Sequence, residues 1–92
     1  MKILNNETKI TGGWTNLNGK VQKDEATVRI EWLINNKLQK IAQDTSGWDI
    51  LYLDPNDNRL WELTYPDSEL HGGGPPTLSF ISSAAAKIKY KM

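Results

Sequence analysis

The hydrophobic spacing of the chain changes character at Asp24. Beyond it Val28, Ile30, Leu33, Ile34, Leu38 and Ile41 recur at helical spacing, with Arg29, Glu31, Lys37 and Lys40 between them, which predicts one amphipathic helix. Asp24 is placed to cap its first turn and Glu25 to meet the positive end of its dipole. The pattern runs to about Asp44, where Ser46-Gly47 should end it. Asn35-Asn36 lower the propensity midway without interrupting the pattern.

Other segments read as strands. Asp49-Ile50-Leu51-Tyr52-Leu53 and Leu60-Trp61-Glu62-Leu63-Thr64-Tyr65 are rich in strand formers, and Asp54-Pro55-Asn56-Asp57-Asn58 between them is dense in turn formers, so a hairpin is expected. Period two puts Trp61, Leu63 and Tyr65 on one face of the second strand, the expected core face. Lys9-Ile10-Thr11 is a short strand before Gly12-Gly13. Asn18-Gly19 is a two-residue turn that would pair Trp14 to Leu17 with Lys20 to Gln22. Pro66 closes the aromatic strand, and Gly72-Gly73-Gly74-Pro75-Pro76 leads into a last strand at Thr77 to Ile81. Ser82 or Ser83 then caps a short helix through Ala84 to Tyr90, whose lysines suit its C-terminal end. The expected fold is α+β: a small antiparallel sheet with the main helix packed on a face and a short C-terminal helix.

Composition narrows the function. With 92 residues, the chain is expected to form one domain spanning 1–92. It has no cysteine, which excludes disulfides, thiol catalysis and cysteine-ligated metals and fits the cytoplasm. The N-terminus lacks an apolar signal region, and no apolar run reaches the roughly 20 residues that span a bilayer, so no membrane association is expected. Eleven basic and eleven acidic residues cancel, leaving no footprint for direct nucleic-acid binding. The charge is nevertheless segregated. Asp54, Asp57, Glu62, Asp67 and Glu69 face only Arg59 in the middle of the chain, whereas Lys87, Lys89 and Lys91 crowd its end.

Candidate catalytic and cofactor chemistry weakens on inspection. Asp54, Asn56 and Asn58 copy the first ligand positions of a calcium loop, but Arg59 stands where the glycine belongs and Tyr65 where the bidentate glutamate belongs. His71 is the sole histidine and has no second histidine at metal or acid–base spacing. The three glycines could cradle an anion, but Pro75 and Pro76 offer no N–H and no Lys-Ser/Thr pair follows. Trp48, Tyr52, Trp61 and Tyr65 could stack bases, yet the neighbouring carboxylates repel phosphate. No cofactor is therefore expected. Tryptophan and tyrosine beside a set of carboxylates instead suit protein binding, because aromatics anchor interfaces and like-signed charge selects an opposite partner.

Taken together, Arg29-Ile30-Glu31-Trp32-Leu33, Gly47-Trp48-Asp49, Asp54-Pro55-Asn56-Asp57 with Arg59, Trp61-Glu62-Leu63-Thr64-Tyr65-Pro66 and His71-Gly72-Gly73-Gly74-Pro75-Pro76 resemble immunity protein family 27, antidotes encoded beside toxins in bacterial polymorphic-toxin and contact-dependent inhibition systems. The resemblance spans roughly Ile10 to Leu78, with Asn58 where glycine would be expected. It implies a cytoplasmic, non-enzymatic protein that neutralises a cognate toxin C-terminal domain, basic and often a nuclease, by stoichiometric binding. On that reading Asp54, Asp57, Glu62, Asp67, Glu69, Trp48 and Tyr52 are candidates for toxin contact. Trp61, Tyr65, His71, Gly72, Gly73, Gly74, Pro75 and Pro76 would maintain the fold. The alternatives are a small acid–base enzyme centred on His71 with Asp67 or Glu69, and a ligand-binding module.

Overall fold

The periodic segment after Asp24 is helical only in its first half. In a computed structural model, which describes residues 2–66 and 74–92, α1 spans Glu25–Asn36 and the remainder of the pattern is a strand, Gln39–Gln43. Asp24 caps α1 as expected, its carboxylate accepting the Thr27 N–H at 2.7 Å. Two local events end the helix short of the Asp44 that the spacing suggests. The Asn36 amide turns back to the Trp32 carbonyl at 2.9 Å, and the Lys37 and Leu38 N–H groups both donate to the Leu33 carbonyl, which stops the helix and sends Leu38 into the core. The strand that follows carries an irregularity between Lys40 and Ala42. The pairing skips Ile41, which is 43% exposed while Leu38 is buried, so their helix-like spacing does not mark a common buried face.

Numbered along the chain, the strands are β1 (Lys9–Thr11), β2 (Trp14–Leu17), β3 (Lys20–Lys23), β4 (Gln39–Gln43), β5 (Ile50–Leu53), β6 (Leu60–Thr64) and β7 (Thr77–Ile81), and α2 covers Ser83–Tyr90. β4 to β7 form a meander and β1 joins its β7 edge, giving a five-stranded antiparallel sheet in the order β1-β7-β6-β5-β4; β2 and β3 pair separately. The fold is α+β. Asn18 and Gly19 both take positive φ, 54° and 79°, the combination that a type I′ hairpin turn requires.

The two faces of the sheet receive different cover. Ile10, Tyr52, Trp61, Leu63 and Leu78 are buried against Ile30 and Leu33 of α1, with Ile3 and Leu38 completing the cluster. Trp61 is the largest fully buried side chain, in keeping with the expected core face, and Arg59 lies 4.9 Å from its ring centroid. On the reverse face Leu51 packs with Ala86 and Tyr90 of α2. The Ser82 hydroxyl, rather than Ser83, caps that helix by accepting the Ala85 N–H at 3.1 Å. No described helix is long and apolar enough to cross a membrane.

The N-terminal segment is fastened by two arginines. Arg29 makes a bidentate pair with Glu7 and donates to the Lys2 carbonyl, while Arg59 donates to the Glu7 and Leu4 carbonyls. The Arg29 hydrogen bonds, against a smaller effect of burial, lower the Glu7 pKa to about 2. A carboxyl so depressed stabilises the fold above its ordinary value of 4.5, and the contribution disappears as pH falls toward 2. The full shift would be worth about 3 kcal/mol, which partial exposure to solvent reduces to ~1–2. Glu7→Gln should therefore lose about that much stability at pH 7 and show a shallower loss of stability between pH 5 and 2 in denaturant titrations. Equal pH slopes for the two proteins would contradict the pairing.

Candidate functional site

Strand register sorts the loops into two groups at opposite ends of the sheet. Thr11 pairs with Thr77 and Thr77 with Thr64, while Leu63 pairs with Ile50 and Ile50 with Gln43. The chain leaving β1, the turn between β4 and β5, Tyr65 and the approach to β7 therefore share one end. The turn between β5 and β6 and the start of β1 lie at the other.

At the first end the turn after β4 is pinned by a single carboxylate. Asp44 accepts the Ser46 hydroxyl at 2.7 Å and the Gly47 N–H at 3.0 Å; its backbone N–H donates to the Asp49 carbonyl at 3.0 Å. The Gln43 side-chain amide donates to the Gly47 carbonyl at 2.7 Å. The Ser46 hydrogen bond holds the Asp44 carboxyl below the usual range. This network presents Trp48, which is 58% exposed and meets half-buried Tyr65 edge-on at 6.3 Å between ring centroids. A turn whose backbone is pinned while free needs little further ordering on contact.

Behind it Lys89 of α2 bridges Asp49, at 2.7 Å, and Glu62, and the Tyr90 hydroxyl donates to Glu62 at 2.7 Å. Burial works against the Lys89 charge but is outweighed by the two carboxylates, so its pKa is raised; burial and then Glu62 raise that of Tyr90. The bridge ties α2 to the sheet directly under the Trp48 turn.

A second feature projects from the same end. The β2–β3 hairpin is locked at its base, where the Gly13 N–H donates to the Thr27 hydroxyl at 2.9 Å. The Gly13 carbonyl accepts the Asp24 N–H at 3.1 Å and the same hydroxyl at 3.0 Å. Gly12 donates to the Pro76 carbonyl at 2.9 Å, so close that a Cβ there would stand 2.5 Å from that oxygen. Beyond this base the described side chains of both strands are exposed, Trp14 to 47% and Val21 to 70%.

The residues expected at the contact surface do not assemble as a group. Trp48 is displayed. Tyr52 is only 7% exposed within the core and Asp54 only 5%, its carboxylate accepting the Asn56 N–H at 2.9 Å to shape the β5–β6 turn. Asp57 is in that same turn, at the opposite end from Trp48, held by the Arg59 guanidinium at 2.6 Å. Burial tends to raise the Asp57 carboxyl, and the bonds from the Arg59 N–H and guanidinium outweigh it and keep it low. Asn58 takes φ 62° there, meeting the turn geometry for which glycine had been expected. Glu62 faces α2. Asp67 and Glu69 lie outside the described residues, as do His71, Gly72 and Gly73. Of the expected structural motif, Trp61 sits in the core, Tyr65 backs Trp48, and Gly74 and Pro75 lead to Pro76, whose carbonyl fastens Gly12.

The arm was legible as a hairpin from Asn18-Gly19, but not as part of a site, because only the register shows which end it leaves from. Among the described residues no group of three or more His, Asp and Glu could hold a metal ion. A cleft of about 120 Å³ at the other end is lined by Ile3, Leu33, Leu38 and Asp54 among others, and a more open hollow of about 380 Å³ lies against Lys23, Asp24, Glu25, Val28 and Arg29.

A pinned aromatic and a projecting hairpin thus share one end of the small α+β sheet. The chain belongs to the Immunity protein 27 family, whose sequence model matches residues 16–82 of its 92. Membership supports an immunity role and, with it, the binding of a cognate toxin. No curated protein and no solved structure matches the chain.

Proposed function

We propose that this chain acts as an antitoxin in the cytoplasm of the cell that makes it, binding one cognate toxin C-terminal domain and blocking it without catalysing a reaction. The family match over residues 16–82 carries this reading. The geometry favours the Trp48 end as the contact surface, since it displays an exposed tryptophan on a pinned turn and tryptophan is enriched among the residues that dominate binding energy. Asp44 lies at this end and Glu25 opens the helix beside it, neither in an ion pair among the described residues, with Asp67 and Glu69 following Tyr65 in sequence. Those carboxylates suit a toxin with a basic rim, such as a nuclease uses to hold a polyanionic substrate. Attraction of this kind mainly accelerates association and weakens with salt. Tyr52 and Asp54 are internal, so neither belongs to this proposed contact surface.

Co-expression tests the reading. Cells producing the toxin domain encoded beside this gene should grow when the chain is present at equal or greater amount and stop growing when it is absent. Growth arrest unaffected by the chain would refute the proposed role.

A further inference from the structure

The β2–β3 hairpin has a firm base and no internal use for its strands. Two-stranded hairpins are marginal in water unless something packs on them, yet the exposed β3 and the 70% exposed Val21 bury nothing. Register puts Trp14, Asn16, Val21 and Lys23 on one face of the arm. This face turns toward α1: the Lys23 ammonium reaches Glu31 at 2.9 Å, and Lys23 lines a shallow hollow with Asp24, Glu25, Val28 and Arg29. Val28, itself exposed, lines that hollow beside the base of the arm. From Gly12 to Lys23 the chain carries two lysines and no acid. Lys20, beside the turn, makes no ion pair among the described residues.

We infer that the arm enters a cleft of the toxin domain whose walls are apolar and whose depth carries carboxylates. Four residues per strand plus the turn reach roughly 15 Å from the base, enough to fill a cleft rather than touch a flat surface. Its positive tip differs from the carboxylates around Trp48, so the partner that fits both has a basic rim around an acidic cleft. An enzyme that holds catalytic metal ions with carboxylates and grips phosphodiesters with a cationic surround has that charge layout. Shared origin at one sheet end lets the arm and Trp48 engage the same partner. A second copy of the chain is a poorer occupant, because its arm is equally basic and Trp14, Val21 and Val28 together expose only about 300 Å² against the ~800 Å² per partner of a stable interface.

The inference rests on the antitoxin reading, and affinity measurements on the purified cognate toxin domain separate the two. Trp14→Ala with Val21→Ala should weaken binding about 100-fold, and Lys20→Glu at least tenfold and more than Lys20→Ala, with unchanged circular dichroism. A wild-type chain that binds tightly, with all three variants within twofold of it, overturns the arm and leaves the antitoxin reading intact. A wild-type chain that fails to bind overturns both. Sedimentation of the free protein supplies the remaining outcome: a dimer that the Trp14/Val21 variant dissolves would assign the arm to self-association and overturn its entry into the toxin.

Discussion

Trp61→Ala is expected to lower the unfolding free energy by about 4 kcal/mol and the melting temperature by roughly 15–30 °C. Trp61 is fully buried at the centre of the α1-facing side of the sheet, on β6 between the Tyr52 and Phe80 positions of its neighbours. Removing the indole opens a cavity under α1, strips the Arg59 guanidinium of the ring it covers at 4.9 Å and takes away the edge contact with Phe80 at 6.3 Å. Arg59 also holds the Leu4 and Glu7 carbonyls, so the N-terminal segment should loosen with the core. The indole N–H has no hydrogen-bond partner among the described residues. A buried donor left unpaired costs about 1–3 kcal/mol, which Trp61→Phe would relieve while restoring most of the volume. Trp61→Phe should accordingly lose less than half as much as Trp61→Ala. Equal losses in thermal or urea unfolding would show that the ring's bulk is not what stabilises this face.

Trp48→Ala should show the opposite behaviour: a melting temperature within about 2 °C of wild type and toxin affinity reduced at least 30-fold, the equivalent of ~2 kcal/mol. The side chain is mostly solvent-exposed, so little folding energy depends on it, while the Asp44 network fixes its backbone. Asp44→Ala provides the complement. Trp48 would be retained but its turn freed, and the expected loss of affinity is smaller, about tenfold, because only the ordering of the turn is added to the cost of binding. A Trp48→Ala protein that binds and protects as well as wild type would move the contact surface elsewhere.

Much of the fold could be read from the sequence because local signals agreed with the tertiary outcome. Asp24 and Ser82 cap helices, Asn18-Gly19 makes its hairpin, and alternation around Trp61 identified the buried face. The β4 segment misled because Ile41 stands at helical spacing from buried Leu38 yet is exposed and skipped by the strand pairing, which only β5 reveals. The site was less legible. Trp48 and Tyr52, four positions apart, look alike in composition, yet the first follows a pinned turn and the second faces the core. The acidic run from Asp54 to Glu69 suggested one surface, whereas Asp54 and Asp57 shape a turn at the far end and Glu62 joins Lys89 and Tyr90 beneath α2. Charge counted along a chain does not reveal which carboxylates are already satisfied. Conversely, Gly12-Gly13 looked like a simple break and proved to be the clasp that aims the arm, because Thr27 and Pro76 close on it from distant parts of the chain.

Amide hydrogen exchange of this chain with and without its cognate toxin domain tests the central claim most directly, since it reports both binding and location. The expected result is slowed exchange at 14–23, 44–49 and 64–65, at one end of the sheet, with little change in the 54–59 turn. Slowing confined to the 54–59 turn and the N-terminal segment, or none at saturating toxin, would contradict the account.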